Sequence, residues 1–275
     1  MPELPEVETT RRCLEAELAG AAVVSSEVRR SRMLRRQPRP ADFADRLAGS
    51  TVTGFGRHGK FLVAELDRDL SWVTHLGMSG RIAVARAGAP EAPHTNVVVR
   101  FAGGRELRFV DPRTFGFMAV LADDELGSVL GGLGPDALTD LPRSAALELA
   151  LARRSAPIKA LLLDQRIVAG LGNIYADEAL HRARIDPRRP GGTLAGAEIG
   201  RLRTAIRTTL AAGLRWGGTS LDDLAYLLPD GTAGEYKARL RVYGREDRPC
   251  RVCGTPIRRV MLRQRSTHWC PRCQT

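Results

Sequence analysis

Lysine is nearly absent from this chain: of 42 basic residues, only Lys60, Lys159 and Lys237 are not arginine. Arginine serves wherever positive charge alone suffices, so a surviving lysine is a candidate for a task that a guanidinium cannot perform, above all the release of a proton. No apolar run approaches the roughly 20 residues of a membrane span, and the start has no signal-peptide core. Both absences argue against a membrane partner and for a cytoplasmic protein. Cysteine is sparse as well. Four of the five cysteines form two close pairs near the C-terminus, which in a reducing compartment reads as metal ligation rather than a disulfide framework. The fifth, Cys13, falls in an apparent helix with Val7, Leu14 and Leu18 and reads as a half-buried structural thiol. No repeat, coiled coil or low-complexity tract is visible.

What the chain does have is length for two modest cores, at 275 residues, and an uneven charge. Residues 1–130 hold 18 basic against 17 acidic residues, whereas 131–275 hold 24 against 14. Residues 237–275 alone carry 11 Lys and Arg against only Glu246 and Asp247. Such a density beside a cysteine cluster favours a polyanionic partner, with nucleic acid the leading candidate.

Helical spacing after Pro5 runs through Val7, Leu14 and Leu18 and stops at Gly20, so a first helix is expected. Short alternating or apolar runs follow at Val23–Val28, Phe61–Leu66, Trp72–Leu76, Ile82–Val84, Val97–Phe101 and Leu107–Val110, separated by turn-formers; they predict an antiparallel β-sandwich. Ala87 to Pro93 reads as a surface loop, and Gly131 to Pro135 as a domain boundary. Beyond it the pattern predicts helices over about Ser144–Arg153, Ile158–Asp164, Asn173–Ala183 and Ala195–Leu214. The double-glycine turn from Val168 to Asn173 lies between two of them, with Asn173 as the expected N-cap. Such an end aims backbone N–H groups outward and attracts phosphate, although an ordinary capped helical hairpin explains these residues equally well.

Cys250-x2-Cys253 and Cys270-x2-Cys273, sixteen residues apart, have the spacing that places four thiolates tetrahedrally around one structural zinc ion. With four cysteines as ligands no position is left open for water, which disfavours metal-assisted hydrolysis. Ile257, Val260, Arg263, Arg265, His268 and Trp269 between the pairs suggest a β-hairpin presenting arginines from a zinc-clamped base, with His268 a hydrogen-bonded hairpin residue rather than an accessory ligand. Lys60, after Gly59 at the entry to an apolar strand, is the strongest of the three lysines as a chemical candidate; a solvated strand-end lysine is the plainer alternative.

Taken together, PELPEVE, HGK, HLGMSG, DPRTFG, VAGLGNIYADEAL, VYGRE and the four-cysteine finger resemble, in order and from end to end, the bacterial formamidopyrimidine-DNA glycosylases, which act on 8-oxoguanine. The resemblance implies an α+β chain: an N-terminal helix and antiparallel β-sandwich over 1–130, a helix-two-turn-helix domain over 131–236, and a zinc-finger β-hairpin over 237–275. It further implies a bifunctional glycosylase and abasic-site lyase, acting as a monomer on double-stranded DNA with oxidised bases, with Pro2, freed by removal of Met1, as nucleophile. A terminal amine has a reference pKa of about 8 and is partly neutral near pH 7. A secondary amine attacking C1′ gives an iminium that cannot lose an N–H proton, and so remains an electron sink for elimination.

By the same resemblance Glu3 is the acid that protonates the opening sugar, with Glu6 as helper, Lys60 the proton donor of β-elimination and Arg265 the residue of δ-elimination. Arginine is a poor acid, so Arg265 is better read as a phosphate clamp. Met78, Arg113 and Phe115 match the trio that fills the void left by an extruded nucleotide. His94, Asn173 and Arg265 match contacts to the DNA backbone, and Arg154 and Lys159 are expected beside them. A basic residue that some relatives use falls here on Ser155, next to Arg153 and Arg154, so that contact is expected one residue earlier. Leu4 favours the purine-lesion branch over the endonuclease VIII type, whose members typically begin PEGPE. The stretch from Gly217 to Gly244 is about two residues longer than is common in the family. Two alternatives stay open: an endonuclease VIII-type enzyme for oxidised pyrimidines, and a lesion-binding protein without catalysis.

Overall fold

The computed structural model describes residues 2–221 and 226–275. The removal of Met1 therefore falls outside the described residues, as does the 222–225 portion of the long stretch. The chain divides into two compact units: Met1–Gly132 with Trp216–Lys237, and Leu133–Arg215 with Ala238–Thr275. The boundaries expected from sequence differ on two points. The end of the segment assigned to the helical domain packs with the N-terminal unit, and the finger groups with the helices instead of standing apart.

The first unit begins with helix α1 (Leu4–Leu18), followed by β1 (Val23–Val28), a short α2 (Asp42–Leu47), β2 (Val52–His58), β3 (Phe61–Leu66), β4 (Leu70–His75), β5 (Arg81–Arg86), β6 (Thr95–Phe101), β7 (Arg105–Val110), β8 (Phe117–Ala122) and α3 (Asp123–Leu130). Its strands form two antiparallel four-stranded sheets, ordered β1-β6-β7-β5 and β2-β3-β4-β8. Val7, Leu14 and Leu18 of α1 enter the core with Leu62, Ala64, Trp72, Val97, Val99, Leu107 and Phe109, so the helix completes the sandwich. Phe61 and Val63, on the other face of β3, join Val73, Ala119 and Leu121 beneath Leu126 and Val129 of α3. The second sheet is thus covered on both faces, which is why β8 reads as an unbroken apolar run. Cys13 is half-buried, as expected, and burial together with Asp230 and Glu17 pushes its thiol pKa up, away from reactivity.

The second unit contains α4 (Ser144–Leu151), α5 (Ile158–Leu162), α6 (Asn173–Ala183), α7 (Gly196–Arg215) and a hairpin of β9 (Arg258–Leu262) and β10 (Arg265–Trp269). Helices α6 and α7 approach so closely that a Cβ on Gly213 would lie 2.5 Å from the Tyr175 ring. The turn entering α6 is knitted by Gln165, whose side chain donates to Leu163 and Leu171 carbonyls and accepts from Gly170 N–H. Gly172, with extended φ and ψ, is the N-cap of α6; Asn173 is already helical, contrary to the expected cap, and no side-chain cap bond is made. The Asn173 amide is instead directed to the hairpin, where Nδ2 donates to Ser266 Oγ at 3.2 Å.

Candidate functional site

In the first unit the chain start is tied down, where termini ordinarily fray. Pro2 is buried, and Glu3 is 1% exposed at the N-cap of α1. Glu6, equally buried, accepts the Glu3 N–H at 2.8 Å through one carboxylate oxygen and the Thr219 N–H at 2.7 Å through the other. Gly218 has φ +84° and would place a Cβ 2.9 Å from that carboxylate, so a side chain there is excluded on both counts. Tyr226 donates to the Glu6 and Gly217 carbonyls, and Ser220 links the Tyr226 carbonyl to the Gly234 N–H. Together with the Val84 N–H to Pro229 carbonyl bond, these contacts hold 216–237 to the first unit.

Lys60 occupies the second position of the two-residue turn joining β2 to β3, where Gly59 has φ +56°. Positive φ at the first turn position suits the right-handed twist of a hairpin and favours glycine there. The Lys60 side chain is buried. Arg57, 2% exposed, holds the turn by donating to the Gly59 carbonyl and pairing with Glu8 of α1 at 3.1 Å, while Arg11 and Arg12 also bind Glu8. An ion pair thus fastens the Lys60 turn to the helix that begins at the chain start. His75 pairs in register with Phe61, next to Lys60, and accepts the Gly77 N–H through Nδ1. Burial, with the Lys60 and Arg35 charges, pulls its pKa down to about 4, so the ring is neutral near pH 7. Sequence reasoning passed over His75, Glu8 and Arg57; the first opens the HLGMSG motif, Glu8 closes PELPEVE, and Arg57 directly precedes HGK.

Met78 is half-buried in the turn after β4, and Arg113 and exposed Phe115 lie in the turn between β7 and β8. The Arg113 guanidinium stands over the Phe115 ring at 4.8 Å. These turns touch through their backbones: a Cβ on Gly77, whose φ is +66°, would sit 2.4 Å from the Gly116 nitrogen. Asp111, fully buried, joins them by accepting Ser79 Oγ–H at 2.6 Å, Gly116 N–H at 2.7 Å and Arg113 N–H at 3.2 Å. Arg35 adds bonds to the Phe115 and Gly116 carbonyls. His94 is exposed with φ +65° and lines a cleft of about 660 Å³ with Arg30, Arg32, Asn96 and Thr114.

In the second unit Cys250, Cys253, Cys270 and Cys273 bring their sulfurs within 4.8 Å of one another, with Cys250–Cys273 at 3.9 Å and Cys253–Cys270 at 3.4 Å. A tetrahedron with Zn–S bonds of about 2.3 Å has S···S edges of about 3.8 Å, so the donor set fits one structural zinc ion. Val252 and Cys273 N–H groups point at Cys250 and Cys270 sulfurs, as thiolates require. Arg265 is exposed at the start of β10, one residue from the Ser266 that Asn173 contacts, and Arg154 is exposed as well. Lys159 is not at the surface. It is 1% exposed and its ammonium is 2.7 Å from Asp177 Oδ1, which removes it from the expected DNA contacts.

Three stretches match family profiles: residues 1–118 the formamidopyrimidine-DNA glycosylase N-terminal domain, 133–224 the formamidopyrimidine-DNA glycosylase H2TH domain, and 248–275 the zinc finger found in FPG and IleRS. Formamidopyrimidine-DNA glycosylase of Salinispora arenicola is 45% identical, covering 100% of this chain and 96% of the relative. The Methylococcus capsulatus protein of the same name is 44% identical, with 100% of both covered. Among solved structures, the MutM (Fpg) protein of Thermus thermophilus superposes with a TM-score of 0.90 at 40% identity, over 99% of this chain and 98% of that one. Lactococcus lactis Fpg in complex with DNA containing an abasic site superposes with a TM-score of 0.92 at 33% identity, over 100% of both chains. The same Lactococcus protein with Fapy-dG-containing DNA gives 0.90 at 33% identity, over 99% of this chain and 100% of that one.

Proposed function

This chain belongs to the formamidopyrimidine-DNA glycosylase family, and we propose that it excises 8-oxoguanine and formamidopyrimidines from duplex DNA and then cleaves the abasic strand by β,δ-elimination. The observation that carries this reading is the chain start, where Glu6 fixes Glu3 beside a buried Pro2. A nucleophilic amine needs a fixed position relative to the sugar, and a frayed terminus could not supply one.

In this reading Met1 is removed and the Pro2 amine attacks C1′, while Glu3 gives a proton to the opening sugar oxygen and the damaged base departs. The resulting iminium acidifies the C2′ hydrogens, and loss of one expels the 3′-phosphate. Further elimination releases the 5′-phosphate. Lys60, fixed by its turn and by the Arg57–Glu8 pair, serves proton transfer in the β-elimination. Met78, Arg113 and Phe115 fill the gap left by the extruded nucleotide, which costs a few kcal/mol to open. Arg265, Arg154, His94 and Asn173 grip phosphates. The Asn173 amide oxygen is buried without a hydrogen-bond partner among the described residues. The proposed domains are the catalytic sandwich, the helix-two-turn-helix and the finger. The substrate places the protein's work in the cytoplasm, on the nucleoid, and no helix among the described residues is long and apolar enough to cross a membrane.

The test is borohydride reduction during reaction, followed by peptide mapping. DNA attached to the peptide that begins at Pro2 supports the mechanism. Attachment to Lys60 or another side chain refutes it.

A further inference from the structure

Lys159 and Asp177 are a lysine and a carboxylate sealed inside the second unit, at 1% and 0% side-chain exposure. Two charges in an interior are costly to desolvate, and one removed alone strands the other. What they hold is one strand of the hairpin. The Lys159 ammonium, from α5, is 2.7 Å from Asp177 Oδ1 and donates to the Ser266 carbonyl at 2.6 Å and to Thr267 Oγ1 at 3.0 Å. Asp177, from α6, accepts the His268 N–H at 2.9 Å on its other oxygen, with His268 Nδ1 3.3 Å from the same atom. Three consecutive residues of β10 are therefore fastened to two helices by side chains that never reach solvent. One residue before them stands Arg265. One turn before Asp177 on α6 stands Asn173, itself bonded to Ser266.

The hairpin needs such an anchor. Its two-residue tip, Arg263 and Gln264, has φ +43° and +63°, a left-handed pair without glycine. Side chains with a Cβ are strained in that region, and strain persists only where the surroundings impose it. The cysteine cluster grips the hairpin at its base, where Trp269 adjoins Cys270, but leaves the middle of β10 to Lys159 and Asp177.

We propose that Lys159 and Asp177 form a latch, separate from the zinc site, that sets where Arg265 stands relative to Asn173, so that both meet the DNA backbone. Lys159 is a positioning residue and touches no substrate. The latch rests on the reading of Arg265 as a phosphate clamp for its effect on DNA, but not for its effect on the hairpin.

The test uses zinc-loaded full-length Lys159→Met, Arg265→Ala and their combination. Amide hydrogen exchange of peptides covering 258–269 should accelerate in Lys159→Met, with one zinc per chain retained, and stay unchanged in Arg265→Ala. Affinity for an abasic-site duplex should fall on the order of tenfold in Lys159→Met, the scale of one lost hydrogen bond to a charged group. The double variant should bind no more weakly than Arg265→Ala alone, because Lys159 acts through Arg265. Unchanged exchange in Lys159→Met, or losses that multiply in the double variant, overturn the latch. If Arg265→Ala binds DNA as well as the parent, the phosphate-clamp reading falls while the exchange measurement still decides the latch. Should Lys159→Met fail to fold, Lys159→Met with Asp177→Asn removes both charges together and is held to the same exchange criterion.

Discussion

Replacing Asp111 with alanine tests whether the void-filling residues act as one rigid display. Its carboxylate receives Ser79 Oγ–H, Gly116 N–H and Arg113 N–H, and alanine leaves all three donors without that acceptor. Hydrogen bonds to a charged group contribute about 1.5–3 kcal/mol each, and buried donors left unmatched cost about 1–3 kcal/mol; these terms overlap, so the loss should be about 3–5 kcal/mol. That is a large fraction of a typical stability of about 5–15 kcal/mol, yet compatible with a folded unit. The functional loss should be selective. Stacking in duplex DNA opposes extrusion, and a loosened wedge forfeiting about 2 kcal/mol of compensation slows excision about 30-fold. A lesion in single-stranded DNA leaves no void to fill. Single-turnover excision of 8-oxoguanine is therefore measured on duplex and on single-stranded substrate, alongside urea unfolding. The duplex rate should drop and the single-strand rate should hold, with Asp111→Asn in between. A destabilised Asp111→Ala that cuts duplex at the parental rate, or loses both rates equally, refutes the reasoning.

Cys250→Ser should lose zinc by elemental analysis and abolish DNA binding, since structural zinc contributes on the order of 10 kcal/mol to small fingers; undiminished affinity after complete zinc removal would defeat this. Glu3→Gln should bind lesion duplexes in a gel-shift assay yet fail to release the base, and normal release would remove Glu3 from the acid role. In matched duplexes, 8-oxoguanine opposite cytosine and formamidopyrimidines should be excised faster than oxidised pyrimidines; the reverse order would move the chain to the endonuclease VIII type. His75 has its folded pKa near 4, below its ordinary 6.5. Between those values the unfolded chain binds the extra proton, so the His75 contribution is complete above pH 6.5 and is lost as pH falls toward 4. Unfolding curves for His75→Gln should show a smaller loss of stability over that window than the parent, and identical slopes would contradict it.

Elements bounded by turn-formers and carrying regular apolar spacing were legible in the sequence: α1, β1, β3 and α6 stand where the sequence put them. Two strands escaped for opposite reasons. In β2, Gly54 and Gly56 interrupt the alternation, whereas β8, buried on both faces, has no alternation to read. The zinc ligands were legible because the bonding geometry forces a short spacing within each pair. Asp111 and Glu8 were not, because each joins near neighbours to one distant segment, Asp111 to Ser79 and Glu8 to Arg57. The same cause explains the return of 216–237 to the first unit, which depends on a carboxylate more than two hundred residues away at Glu6.

The lysines show how a sound premise can end in different chemistry. Arginine so dominates that a retained lysine signals something a guanidinium cannot do, and proton release was the expected reason for Lys60. For Lys159 the reason is shape. A carboxylate, a carbonyl and a hydroxyl converge on one point in a space closed to solvent, at 2.7, 2.6 and 3.0 Å. An ammonium stands as a compact charge beside the carboxylate and donates to the carbonyl and the hydroxyl from one atom, whereas a planar guanidinium spreads five donors over a wider fork. Lys159→Arg consequently keeps the charge but displaces the hairpin, and its exchange over 258–269 should resemble that of Lys159→Met more than the parent. Parental exchange in Lys159→Arg would mean that charge alone holds the strand, and that the retained lysine at this position has no stereochemical cause.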